Sequence, residues 1–118
     1  MNKCICKSFT FEAAHSLNTT KNSKNKNIHG HSFHVRVFIE GKVKKDGMIL
    51  DFFILDKTIK NLKDKLDHSY LNDIKEIKTP TLENIGSWIW KQIKPKLKNL
   101  YKVEIERKTC GESFSISN

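Results

Sequence analysis

The chain has 118 residues, of which 37% are apolar and 30% are charged, and this balance predicts one folded domain over residues 1–118. No apolar run approaches the roughly 20 residues that span a bilayer, and the first residues lack the apolar segment of a signal peptide. The sequence therefore predicts a soluble cytoplasmic protein with no membrane partner.

The net charge of +9 comes almost wholly from lysine, because Arg36 and Arg107 are the only arginines. The lysines are spread along the chain without an arginine-rich stripe, which argues against a nucleic-acid partner and agrees better with a small anionic substrate. Three cysteines, Cys4, Cys6 and Cys110, are an odd number, and this argues against a disulfide framework.

The first half of the chain predicts strands. Residues 3–15 and 29–41 alternate between apolar and polar side chains, as half-buried strands do. The polar segment 16–28 between them predicts a mobile loop. A turn over residues 42–47 leads into a short extended piece at 48–53.

The second half predicts two helices and two further strands. Apolar residues recur at helical spacing from 54 to 66, and a second helix is expected from 79–81 to about Lys94, where Pro95 ends it. Alternation over 101–105 and a short apolar pattern at 114–116 predict the last strands. The order β-β-α-α-β-β indicates an α+β domain.

Three histidines are expected to meet at one end of the sheet. His29 and His31 are two positions apart on one strand and therefore share a face, and His15 ends the preceding strand on the same face. Three imidazoles with an open fourth position are typical of a catalytic zinc ion. The alternative is a chance His-x-His pair beside an unrelated core histidine. His34 has the opposite parity and is left out.

Five motifs carry a family resemblance over nearly the whole chain: FTFEAAH (9–15), IHGHSFHVRV (28–37), GMILDF (47–52), LDHSYLND (66–73) and TPTLENIGSWIW (79–90). Together they resemble the 6-pyruvoyl-tetrahydropterin synthase family, most closely its bacterial branch, the 6-carboxy-tetrahydropterin synthases of queuosine biosynthesis. The resemblance implies a tunnelling fold (T-fold): a four-stranded antiparallel sheet with two helices on one face, which assembles into homotrimers and hexamers.

The resemblance also implies a substrate and a site. The substrate would be 7,8-dihydroneopterin triphosphate, and the metal would be zinc on His15, His29 and His31. Asp67 and His68 would tune and relay protons, although a helix-end pair that hydrogen-bonds locally is the alternative.

Two further residues match positions that line the family's base-binding pocket. They are Thr81 and Glu83. Their place at a helix N-terminus also suits ordinary capping and dipole residues.

The first departure from the family pattern is Asn25, which stands where members usually carry a catalytic cysteine. Asparagine cannot replace a thiolate, and residues 16–28 contain no Cys, Asp, Glu or His. The titratable residues of this loop are lysines, which would need burial to act as a base: Lys21, Lys24 and Lys26. Cys110 is a second candidate for the missing thiol, at the site of a neighbouring subunit.

The second departure is Arg107, at the position of the glutamate that anchors the pterin ring in the family. Its parity matches Val103 and Ile105, so it is expected to face the pocket, where a donor-only side chain favours a carboxylate, phosphate or carbonyl. A one-residue bulge that turns Glu106 inward would restore pterin binding. A surface arginine at a fraying strand end is the alternative.

The leading hypothesis is a zinc-dependent lyase that converts 7,8-dihydroneopterin triphosphate to a 6-substituted tetrahydropterin. A zinc enzyme with another substrate, chosen by Arg107, is the first alternative. A non-catalytic binding protein that retains the metal is the second, and a basic RNA-associated protein is the third.

Overall fold

The computed structural model describes residues 1–118 and contains five strands and two helices. The strands are β1 (Cys4–His15), β2 (His29–Glu40), β3 (Ser69–Tyr70), β4 (Leu100–Arg107) and β5 (Glu112–Ser117). The helices are α1 (Phe52–Leu66) and α2 (Leu82–Ile93). Four single turns of 3₁₀ helix lie in the connections: Ser23–Lys26, Leu71–Asp73, Lys75–Ile77 and Lys108–Cys110.

The sheet has the strand order β3-β1-β2-β4-β5, and all neighbours are antiparallel except β1 and β3. The α+β class is confirmed, but the expected number of four strands is wrong. The additional strand is β3, where Ser69 and Tyr70 pair in parallel with Ala13 and Ala14. A two-residue strand has no alternation that a sequence pattern could reveal.

Strands β1 and β2 form a long hairpin whose register brings their alternating apolar residues to one face. Phe11 lies directly across from Phe33, and their rings stack with centroids 4.8 Å apart. The same register pairs Ala13 with His31. It also pairs His15 with His29, so the hairpin ends in the three histidines.

Helix α1 begins earlier than the pattern indicated. Asp51 caps it by accepting a hydrogen bond from the backbone N–H of Phe53, so the expectation of an extended piece is wrong at Phe52 and Phe53. Its buried stripe packs on β1: Leu55, Ile59, Leu62 and Leu66.

Helix α2 packs on β4 and β5 and lies close to the expected bounds. Thr81 caps it by accepting from the backbone N–H of Asn84 at 3.2 Å. Gly86 faces Phe114 so closely that a Cβ at this position would lie 2.6 Å from the ring. Both helices and one face of the sheet share a single core of buried side chains. Neither helix has the length and the apolar run that crossing a membrane requires.

Candidate metal centre and its surroundings

The structure brings His15, His29 and His31 together at the open end of the β1–β2 hairpin. The three imidazole centroids are 4.6, 4.9 and 5.0 Å apart. One ring nitrogen of each histidine lies within 4.8 Å of those of the other two. This cluster could hold a metal ion.

The hydrogen bonds of two of these histidines leave Nε2 free to bind a metal. The Nδ1–H of His15 donates to the carbonyl of Pro80 at 2.9 Å, and that of His29 donates to the carbonyl of Asn27 at 2.8 Å. Because a carbonyl only accepts, each bond fixes the tautomer in which Nε2 carries a lone pair. Metal-binding histidines are held by such outer partners in known sites.

Buried nitrogen atoms without a partner support the same reading. Nε2 of His15 and Nε2 of His31 are buried and have no hydrogen-bond partner in the protein. Buried polar atoms are normally paired, since leaving one unpaired costs about 1–3 kcal/mol. A cation between the rings would satisfy both atoms, so the residues fit a metal ion.

The environment of His15 and His31 favours their neutral form, which is the form that binds a metal. Burial lowers the pKa of His15 from 6.5 to about 4, although its hydrogen bond to Pro80 acts in the opposite direction. Burial also lowers the pKa of His31, and the positive charge of Arg107 adds to this effect.

The Asp67–His68 pair follows α1 and is fixed to β1 by backbone hydrogen bonds. The backbone N–H of Glu12 donates to Oδ1 of Asp67 at 2.8 Å, and the backbone N–H of His68 donates to the carbonyl of Glu12 at 2.6 Å. His68 has a left-handed backbone, with φ 58°, which histidine adopts more readily than most residues. The strand edge therefore determines where the pair lies.

The side chains of the pair interact at the surface. Nδ1 of His68 lies 3.0 Å from Oδ2 of Asp67, and 82% of the His68 side chain is exposed. The hydrogen bond from Glu12 is the largest of the effects that lower the pKa of Asp67, and the bond to His68 acts in the same direction. Asp67 is thus a carboxylate at neutral pH, and His68 presents Nε2 to solvent.

One cleft has His31 of the cluster and His68 of the pair among its lining residues. It has a volume of about 550 Å³ and is lined by His31, His68, Glu12 and Ser32, among others. Ser32 donates a hydrogen bond from Oγ to Oε1 of Glu12 at 2.6 Å. Glu12 was not among the predicted site residues. Its even parity in β1 was the available signal, because it places a carboxylate on the face opposite the core.

Thr81 and Glu83 lie at the start of α2. The Thr81 hydroxyl accepts the capping hydrogen bond from Asn84, and Glu83 is exposed in the first helical turn. Pro80, directly before them, supplies the carbonyl that holds His15.

Arg107 lies close to the histidine cluster with only 14% of its side chain exposed. Its guanidinium pairs with Glu112 at 2.8 Å, and Nε is buried without a partner. The pairing of β4 with β5 is regular from Lys102 to Arg107, so there is no bulge to turn Glu106 inward. Glu106 instead lines a separate cleft with Arg36.

The loop before the second histidine contains no group that replaces the missing cysteine. The carbonyl of Asn25 accepts from the backbone N–H of Leu17 at 2.9 Å. The three lysines of the loop are exposed, so the burial that a lysine base requires is absent. They are Lys21, Lys24 and Lys26.

Cys110 lies beside the histidine cluster of its own chain, with Sγ 4.0 Å from Nδ1 of His31. No sequence pattern could have indicated this contact, because it joins residues 79 positions apart.

An α+β domain with a five-stranded sheet and three converging histidines defines a class of candidate metalloproteins, and comparison with known sequences identifies the family. The sequence profile of 6-pyruvoyl tetrahydropterin synthase matches residues 4–118. The chain belongs to this family, as the five motifs indicated.

Similar proteins span most of the chain. The 6-carboxy-5,6,7,8-tetrahydropterin synthase of Synechocystis is 38% identical over 113 residues, which are 90% of this chain and 86% of that protein. The dihydroneopterin monophosphate aldolase of Pyrococcus furiosus is 37% identical over 107 residues, covering 91% and 89%. The structure of Caenorhabditis elegans 6-pyruvoyl tetrahydropterin synthase superposes with a TM-score of 0.84 at 25% identity and covers 100% of this chain and 96% of that one.

Proposed function

We propose that the protein is a cytoplasmic, zinc-dependent lyase that converts 7,8-dihydroneopterin triphosphate to a 6-substituted tetrahydropterin, in queuosine or pterin biosynthesis. The observation that carries the proposal is the pair of buried, unpartnered Nε2 atoms on His15 and His31 beside His29. The similarity to the Synechocystis 6-carboxy-5,6,7,8-tetrahydropterin synthase supports the substrate class.

Zinc is the metal that this set of side chains favours, because three neutral imidazoles with an open fourth position are a common catalytic zinc site. When bound, the ion supplies Lewis acidity toward the oxygens of the substrate side chain. His15 and His29 keep their rings in place through Pro80 and Asn27, so little reorientation accompanies binding.

Proton transfer is assigned to His68. Its Nδ1–H donates to Asp67, which leaves Nε2 to take a proton from the substrate carbon and to return it. Asp67 stabilises the protonated ring and is itself held by the backbone of Glu12. His68 and His31 both line the cleft of about 550 Å³.

Substrate recognition is assigned to Arg107, with Thr81 and Glu83 at the start of α2. Arg107 is mostly buried, and Glu112 beside it offers an acceptor. The two side chains together present donors and acceptors of hydrogen bonds, whereas Arg107 alone would favour an anionic or carbonyl-rich ligand. The net charge of +9 also suits a triphosphate.

A second candidate reaction is an aldol cleavage of dihydroneopterin monophosphate. The observation in its favour is the similarity to the Pyrococcus furiosus aldolase, taken with Asn25 in place of the usual cysteine. Two further alternatives keep the metal: a lyase for a non-pterin substrate and a non-catalytic binding protein.

We also propose a homo-oligomer, a trimer or a hexamer. Large apolar side chains near the start of α1 are exposed in the single chain: Val43, Met48, Phe52, Phe53 and Ile54. Patches of this kind are typical of protein–protein contacts. Light scattering coupled to size exclusion would give the mass, and a monomer would contradict this part of the proposal.

The test is turnover of 7,8-dihydroneopterin triphosphate and of its monophosphate by zinc-loaded protein, with products identified by mass. A 6-carboxy- or 6-pyruvoyl-tetrahydropterin product from the triphosphate supports the proposal, and cleavage of the monophosphate alone supports the aldolase. Absence of both reactions in protein that contains zinc would overturn both and favour the alternatives. His68→Gln is the matched inactive control, because it leaves the three histidines intact.

A further inference from the structure

In each of the three histidines, the nitrogen that points away from the proposed metal is Nδ1, and each Nδ1 has a possible hydrogen-bond acceptor nearby. Nδ1 of His15 and Nδ1 of His29 each donate to a backbone carbonyl. Nδ1 of His31 lies 4.0 Å from Sγ of Cys110. Since Nε2 of His31 is the buried, unpartnered atom, Nδ1 is its outer nitrogen as in the other two rings.

The turn that carries Cys110 is held beside β2. Lys108–Cys110 form a 3₁₀ turn that contacts β2, and Gly111 closes it with a left-handed backbone, φ 66°. The residues on either side, Arg107 and Glu112, pair both in the strand ladder and through their side chains at 2.8 Å. The turn therefore has little freedom to carry the sulfur away from His31.

The geometry favours an outer partner over a direct metal ligand. The ring nitrogens of His15, His29 and His31 lie within 4.8 Å of one another, and the Cys110 sulfur is not part of that group. It approaches the opposite side of the His31 ring from Nε2. A thiol and a thiolate both accept hydrogen bonds, so this contact does not depend on the charge of the cysteine.

We propose that Cys110 is a positioning residue of the metal centre, whose sulfur accepts the Nδ1–H of His31 and so directs the Nε2 lone pair to the ion. The inference rests on the proposed metal centre. At 4.0 Å the contact is at the outer limit of a hydrogen bond to sulfur. A cation held by Nε2 would withdraw electron density from the ring and strengthen the Nδ1–H donor, which would favour a shorter contact to the sulfur.

The first test is zinc affinity, measured by competition with a chromophoric chelator. Cys110→Ala is expected to weaken zinc binding about tenfold or more, as loss of an outer partner does. Cys110→Ser restores an acceptor and is expected to bind closer to the unmodified protein. Cys4→Ala is the matched control, because Cys4 is also exposed but lies at the other end of β1, opposite Glu40.

Two spectroscopic readouts separate positioning from ligation. In Co²⁺-loaded protein we expect no sulfur-to-metal charge-transfer band, and ¹⁵N NMR of the zinc form should find His31 protonated at Nδ1. In zinc-loaded Cys110→Ala the His31 Nδ1–H signal should broaden through faster exchange with water. A charge-transfer band that disappears in Cys110→Ala would overturn the assignment in favour of direct ligation.

The outcomes also separate this inference from the proposed function. If the unmodified protein binds no zinc, the proposed centre fails and the inference fails with it. If it binds zinc and Cys110→Ala binds equally well with an unchanged His31 spectrum, the inference alone is wrong. Because Cys110 is exposed in a surface turn, its replacement is not expected to impair folding.

Discussion

One cleft is lined by His31 of the three-histidine cluster and by His68 of the Asp67–His68 pair, but the cluster and the pair are held in opposite ways. His15 is fully buried, and its free Nε2 is enclosed within a single chain. His68 is 82% exposed, and only the backbone around it is fixed. The fold therefore fixes the side chains of the cluster, whereas in the pair it fixes the backbone and leaves the His68 ring exposed.

The largest effect on zinc binding is expected from the loss of a histidine ligand. His31→Ala should lower zinc affinity by more than the roughly 10–100-fold that an outer partner contributes, and activity should fall to background. Metal content after dialysis and competition with a chelator measure this. His34→Ala is the control, because His34 lies on the same strand with the opposite parity. Equal zinc content in both variants would contradict the assigned centre.

The next effect distinguishes the role of the Asp67–His68 pair from metal binding. His68→Gln should lower kcat by about 10²–10⁴ while the zinc content stays unchanged, because His68 is assigned to proton transfer and not to ligation. Steady-state kinetics on the proposed pterin substrate measure it. A kcat equal to that of the unmodified protein would remove His68 from the mechanism.

The third effect is a pH dependence of stability that comes from the burial of His15 and is expected in the metal-free protein. The pKa of His15 is lowered from 6.5 to about 4 in the folded protein. Between these two pH values the unfolded chain binds more protons than the folded one, so the free energy of unfolding falls as the pH falls. At about 1.4 kcal/mol per pKa unit, the loss is on the order of 3 kcal/mol. Urea unfolding across this window in the presence of a chelator measures it. His15→Asn should lack this part of the pH dependence, and an equal slope in both proteins would contradict the prediction.

The smallest effect concerns Asp67, whose side chain is partly exposed. Its pKa lies below the ordinary value of 3.8, so its charge stabilises the folded protein above that pH and the contribution is lost as the pH falls below it. Asp67→Asn keeps an oxygen for the Glu12 N–H but removes the charge. Its melting temperature should be slightly lower at pH 7, and the gap should close in acid. Thermal melts across this range measure it, and a gap that is independent of pH would contradict the role of the charge.

The convergence of the histidines could be predicted from the sequence because strand parity alone places His15, His29 and His31 on one face. The partners that complete the centre could not be predicted. The carbonyls of Pro80 and Asn27 are backbone atoms, which carry no residue-type signal.

Contacts made outside regular elements were missed for a related reason. The strand β3 and the Cys110–His31 contact depend on how distant segments meet in space, and neither has a periodic pattern. The start of α1 was a different case. Asp51 was a visible capping residue, but the apolar residues around Phe52 also suited a strand.

The hydrogen bond from His15 to Pro80 joins segments that are 65 residues apart in the chain. Contacts between distant segments close only after a large loss of chain entropy, so they tend to form late in folding. The complete centre thus requires the hairpin and the segment before α2 to have met. We therefore expect tight metal uptake to report the last stage of folding, because an ion offered to a chain with only the hairpin formed would meet a His15 ring that Pro80 does not yet hold.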